Sequence, residues 1–202
     1  MKREPNEQEL LDILLRNSVC RGNFTLASGT QSDLYVDARL TTLDPRGSRL
    51  IGQLGWKLIK ENAASGGGKI DAIGGLTMGA DPIALSIALA ALADEPPALL
   101  QAFVVRKAVK AHGRQKLIEG NFRKGNTVMV IDDVITTGGS TLQAIQAIEN
   151  AGGRAAFVLV LVDREEGGRE AIEKRGYKVV SIFTRADLIG VGTGSRTDLA
   201  VG

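Results

Sequence analysis

Residues 128–141 read VMVIDDVITTGGST. Four apolar residues run into two adjacent carboxylates, Asp132 and Asp133, then into a loop of threonine and glycine that leads to a helix-forming stretch. A strand that is apolar at every position is buried on both faces, as in a parallel sheet covered by helices. The second such run, AFVLVLV at 156–162, follows a helical pattern over 140–150 that ends at Gly152-Gly153, where a left-handed residue closes a helix. Working outward, strands are expected over 70–74, 99–105, 127–131, 155–162 and 178–183, with helices over 80–93, 140–150 and 168–175. Strand–helix alternation of this kind predicts an α/β, doubly wound, mostly parallel sheet. Upstream, Leu10, Ile13 and Leu14 share one face of a short helix over 7–16. A hairpin is expected over 24–37 around Ser28-Gly29, with Leu34, Tyr35 and Val36 in its second arm. Asp44-Pro45 opens a helix to about residue 60, and residues 63–68 break it. There is no internal repeat, so 1–202 reads as one domain with a small hood over 1–40.

At the carboxyl edge of a parallel sheet, the loop after Asp133 lies where ligands of such folds bind. Gly138 and Gly139 let the backbone turn its N–H groups toward a ligand. The hydroxyls of Thr136, Thr137, Ser140 and Thr141 surround a helix N-terminus, and together these make a phosphate cradle. No lysine follows the glycines, so this is not the G-x-x-x-x-G-K-[ST] loop. Two acids beside a phosphate would repel it unless they face ribose hydroxyls or the surroundings of a Mg2+-bound diphosphate. A simple turn cap would need neither two acids nor so many hydroxyls.

The chain has 202 residues and a net charge of +2, from 25 basic and 23 acidic side chains. The average conceals a segment. Between Arg106 and Lys124 lie seven bases and one acid, +6 in all, with His112, the only histidine; the rest carries −4. A local basic segment on a mildly acidic body points to a specific anionic ligand, against the bland alternative of a solvated loop. The single cysteine, Cys20, excludes an internal disulfide and reads as a packing residue in a reducing compartment. MKREPNEQEL has no apolar secretory core, and the longest apolar run, 82–93, is shorter than the roughly 20 residues of a membrane span. A cytoplasmic location is expected, with no membrane partner. Trp56 and Tyr35 read as packing residues. Gly190 to Gly194 superficially matches a dinucleotide loop, but no helix pattern follows it, so 190–202 reads as a flexible tail.

At Asp132–Ser140 the sequence resembles the phosphoribosyltransferases, whose motif for phosphoribosyl pyrophosphate (PRPP) is an apolar strand, two acids and a Thr/Gly loop. Four further segments are similar to the orotate phosphoribosyltransferases of that type I family: FTLASGTQSDLYVDAR at 24–39, GGLTMGADPIA at 74–84, RKAVKAHG with LIEG across 106–120, and VDREEGG at 162–168. They occur in the expected order from about residue 24 to 188. The resemblance implies transfer of ribose 5-phosphate from PRPP to orotate, giving orotidine 5′-monophosphate and diphosphate in pyrimidine synthesis. It implies that Asp132, Asp133, Val134, Ile135, Thr136, Thr137, Gly138, Gly139 and Ser140 hold PRPP, with the two acids toward the ribose. Thr136 and Arg164 would contact orotate, whose carboxylate matches a planar guanidinium fork. Arg106, Lys107, Lys110 and His112 would close over the diphosphate from a mobile loop over 106–124, shared across a homodimer interface. Lys110, His112, Asp132 and Asp133 would carry the catalysis. Mg2+ would be held through diphosphate and ribose oxygens, with no direct protein ligand. Some members carry Lys where this chain has Ala27 and Met78, which bears on the number of cationic contacts.

Two rivals stand beside this reading. A non-catalytic regulator binding nucleic acid would need a DNA- or RNA-binding element, and one short helix before the hairpin is too little for a helix-turn-helix. A purine or uracil phosphoribosyltransferase would have no use for the FTLASG hairpin and Arg164, which suit a carboxylated base.

Overall fold

The computed structural model describes residues 3–25, 31–108 and 116–190. Lys110, His112, the hairpin tip with Ala27 and the tail from 191 onward lie outside the described residues. In chain order the elements are α1 (Pro5–Asn17), β1 (Val19–Thr25), β2 (Gln31–Val36), α2 (Arg39–Thr42), α3 (Pro45–Asn62), β3 (Ala72–Leu76), α4 (Ala80–Leu92) and β4 (Gln101–Val105). There follow β5 (Ile118–Gly120), β6 (Thr127–Ile135), α5 (Gly139–Asn150), β7 (Arg154–Asp163), α6 (Gly168–Glu173), β8 (Val179–Thr184) and α7 (Arg185–Ile189).

Six strands form one sheet in the order β5-β4-β3-β6-β7-β8, and β1 with β2 form a separate antiparallel ribbon. All pairings in the large sheet are parallel except the β4–β5 edge. Helices cover both faces. On one face, Leu50, Ile51 and Leu54 of α3 and Ile83 and Ile87 of α4 pack with Ile73, Met129 and Leu159 of the strands. On the other, Ala144, Ile145 and Ile148 of α5 and Ile172 of α6 pack with Val128, Val130, Val158 and Val160. The odd and even positions of β6 and β7 thus enter different cores, which explains why these strands are apolar throughout. Each such side chain, fully buried, stabilises the fold by about 1.5–3 kcal/mol. The expected doubly wound sheet is the one observed.

Local chemistry sets the helix starts. Asp44 accepts hydrogen bonds from the Arg46 and Gly47 amides at 3.0 and 2.9 Å, with Pro45 in the first turn of α3. Glu4 and Glu7 cap α1 reciprocally, and Leu10, Leu11, Ile13 and Leu14 are its buried face.

Several boundaries differ from the sequence expectation. The hairpin begins at Val19, five residues before Phe24. Residues 63–67 form a single π-helical turn, broken at Gly66 with φ 83°, and not an immediate break. The polar stretch after residue 105 contains β5, and β6 runs on through both aspartates to Ile135. The short helices α2 and α7 are not among the elements expected from the sequence.

Candidate active site

In this strand order the chain leaves β3 toward β4 on one side, and the sheet continues through β6 on the other. The crevice between the carboxyl ends of β3 and β6 is therefore the switch point, where ligands bind in open α/β sheets. Two segments meet there: residues 77–80 after β3, and Asp132 to Ser140 from β6 into α5.

The two aspartates have different surroundings. Asp132 is 7% exposed and accepts a 2.6 Å hydrogen bond from Thr141 Oγ1 on α5. Burial pushes its carboxyl up to about 7, opposed by the Thr141 hydrogen bond and reinforced by the neighbouring Asp133 charge. Asp133 is half-buried and lies against the start of α4, where any side chain at Gly79 would collide with its carboxylate. One Asp133 oxygen accepts from the Val134 amide at 2.9 Å, and its carboxyl lies beside that of Asp132.

Beyond Ile135 the chain turns into α5 over residues 136–138. Gly138 takes φ 79°, a left-handed conformation that side chains rarely adopt, and a Cβ there would lie 2.9 Å from the Gly168 carbonyl of α6. The glycine therefore answers both a backbone angle and a close approach. Gly139 has open space around it, so only Gly138 is sterically required. Thr137, Gly139 and Ser140 are exposed at the mouth of the loop. No side chain caps α5, which leaves its first-turn amides to an incoming anion.

Arg164 comes to the same edge from β7. Its amide donates to the Ile135 carbonyl at 3.0 Å, which places it directly beside Thr136. The side chain is only 3% exposed. Its Nη2 donates to Ser32 Oγ of β2 at 2.9 Å and to Glu166 Oε1 at 2.7 Å, while its buried Nε has no hydrogen-bond partner. A guanidinium this buried with a donor left open is suited to a planar anionic partner.

The basic segment is divided. Arg106 continues β4 and bonds the Leu117 carbonyl at 2.9 Å, and the Lys107 carbonyl accepts from Gln143 of α5 at 3.2 Å. Arg106 and Lys107 are thereby held at the α5 side of the crevice. Arg123 and Lys124 instead precede β6, at its opposite end, where Gly125 bonds the Gly152 carbonyl. Nine strand residues separate them from the loop that follows β6, roughly 30 Å at strand rise. The +6 segment is therefore not one continuous surface at the crevice.

Other residues singled out in the sequence take packing or surface positions. Cys20 is buried, and Tyr35 packs on Phe24 with ring centroids 5.7 Å apart. Trp56 donates to Asp94 at 2.6 Å beside a cleft of about 620 Å3 along α3 and the second half of α4. Met78 is exposed in the segment after β3.

The sequence model of the phosphoribosyl transferase domain matches residues 43–196. The chain is 44% identical over 184 residues to the orotate phosphoribosyltransferase of Mycobacterium tuberculosis strain H37Rv, covering 91% of this chain and 97% of that protein. The chain belongs to the orotate phosphoribosyltransferase family. The Aquifex aeolicus orotate phosphoribosyltransferase is 46% identical over 166 residues, 82% of this chain and 86% of its own. The crystal structure of the M. tuberculosis orotate phosphoribosyltransferase in complex with PRPP superposes with a TM-score of 0.75 at 40% identity, covering 93% of this chain and all of that one.

The residues singled out in the sequence do converge: Asp132 to Ser140, Arg164, Arg106 and Lys107 share one crevice. Ser32, Glu166 and Thr141 were not singled out as partners. Ser32 meets Arg164 across 132 positions of sequence, and no local pattern signals such a contact.

Proposed function

We propose that this member of the family transfers ribose 5-phosphate from PRPP to orotate, giving orotidine 5′-monophosphate and diphosphate. The observation that carries the base assignment is Arg164, buried beside Thr136 with its Nε unpartnered. Glu166 already pairs with one end of the guanidinium, and a carboxylated base offers the open donor a second anionic partner that a neutral base does not.

The loop Asp132–Ser140 receives the 5-phosphate and ribose. The exposed first-turn amides and hydroxyls of α5 take the phosphate, and the half-buried Asp133 carboxyl suits a ribose hydroxyl. Val134 and Ile135 supply backbone to the same cradle. Arg106 and Lys107, with Lys110 and His112, close over the diphosphate, whose repulsion-free binding relieves the crowding of like charges. The base nitrogen attacks C1 of the ribose as diphosphate leaves, through an oxocarbenium-like state. Orotate is already anionic, so the protein's task is alignment and stabilisation of the leaving group more than base catalysis. Mg2+ arriving with PRPP would supply charge neutralisation at the leaving group, beside Arg106 and Lys107. Among the described residues no three His, Cys, Asp or Glu side chains come together to hold an ion.

The proposal extends to a cytoplasmic homodimer that shares the basic loop between subunits. Its support is an apolar stripe on α4, where Leu85, Leu89 and Leu92 are about half exposed at helical spacing. No described helix is long and apolar enough to cross a membrane.

Base competition tests the function. Purified protein with Mg2+ and PRPP is offered orotate, uracil and purines together, and product nucleotides are separated. Orotidine 5′-monophosphate is expected to dominate. A uridine or purine nucleotide as the main product would move the acceptor assignment elsewhere.

A further inference from the structure

The five residues of α7 are too few to hold a helix together by themselves. Thr184 and Asp187 cap it reciprocally, and Leu188 is fully buried in the core. Four separate parts of the chain are tied to it. Arg21 of β1 donates through Nη2 to the Leu188 carbonyl at 2.7 Å. Asp33 of β2 accepts from Arg185 Nη2 at both oxygens, 2.7 and 2.9 Å. Glu165, next to Arg164, accepts from the Ala186 amide at 3.2 Å. Arg3 pairs with Asp187 from the N-terminal side.

The turn that carries Arg164 has a fixed shape of its own. Glu165 takes φ 54°, a costly conformation for a residue with a side chain, and its amide is held by Asp163 Oδ1 at 2.9 Å. Asp163 is buried and held in turn by Arg169 at 2.8 Å. The hairpin is different, because a two-stranded ribbon is marginal alone and its position depends on what holds it. Ser32, which bonds Arg164, is the residue before Asp33, which bonds α7. The small helix is thus bonded to both sides of the Arg164 guanidinium.

We infer that α7 is a clamp that fixes the hairpin against the Arg164 turn, with Arg185 and Asp33 as positioning residues for the base side of the reaction. This rests on the reading of Arg164 as the partner of the base's carboxylate. Asp33 is 69% exposed, so the ion pair adds little to global stability. Its consequence is geometric: a displacement of the order of 1 Å in a substrate-holding group is enough to lower catalysis markedly.

The test uses Arg185→Glu, Asp33→Arg and the two together. Each single variant sets like charges face to face, and the double variant restores an opposite pair. Hydrogen exchange of the hairpin amides is measured alongside steady-state kinetics in both substrates. Each single change is expected to speed hairpin exchange and raise the orotate KM about fivefold, with kcat and the PRPP KM within about twofold, and the double variant to recover. Unchanged hairpin exchange, an equal rise in both KM values, or failure of the double variant to recover would overturn the clamp. Faster exchange with an unmoved orotate KM also overturns it. Arg164→Lys, run in parallel, then separates the causes: if it too leaves the orotate KM unmoved, the base-site reading has failed as well.

Discussion

Asp132 and Asp133 are adjacent in the chain, yet one is enclosed beneath Thr141 and the other stands half-buried against Gly79. Asp132 braces the start of α5 through that hydrogen bond, and Asp133 is the more exposed of the two acids. Because burial raises the Asp132 carboxyl from 3.8 to about 7, the folded state favours its protonated form. Its contribution to stability is fully present below about pH 4 and is lost as pH rises through about 7. Asp132→Asn removes that loss. Thermal midpoints of wild type and variant are expected to move apart in the variant's favour between about pH 4.5 and about pH 7.5. A constant difference across that range would show that Asp132 does not titrate there. At this scale the sequence identified the acids, the loop hydroxyls and Arg164, because each belongs to a local pattern at the end of an apolar strand. It was silent on Thr141 as the Asp132 partner and on Ser32 and Glu166 around Arg164, since hydrogen bonds between distant segments leave no periodic trace.

The element that makes the crevice is β6 with its turn into α5. Gly138 binds this turn to α6, and Gly138→Ala is expected to fail in both its φ and its contact with the Gly168 carbonyl. Backbone strain of this kind costs about 1–3 kcal/mol, which for a chain of this size lowers the melting temperature by several degrees. The PRPP KM should rise with it, and a variant of normal melting temperature and PRPP KM would show that the turn tolerates a side chain. The long elements were readable because their apolar positions repeat over many residues. The edges were not: polar aspartates hid the last four residues of β6, and β5, α2 and α7 are three to five residues long. Short elements owe their existence to neighbours already in place and not to their own propensity.

In the whole molecule, the parallel order β4-β3-β6-β7-β8 brings the ends of β3, β6 and β7 to one edge, and helices on both faces leave that edge open. The α4 leucines face outward on one flank. Leu85→Glu with Leu89→Glu is expected to convert a two-chain species in sedimentation to a one-chain species, and an unchanged sedimentation profile would place any dimer contact elsewhere. The sequence by itself determined the layered α/β class and the order of its long elements, because strand burial and turn chemistry are local properties. Only the tertiary structure decided which bases reach the crevice, why the two aspartates differ, and what holds Arg164 in place. Those depend on segments far apart in the chain being packed together, and packing distances are not written in any one stretch of sequence.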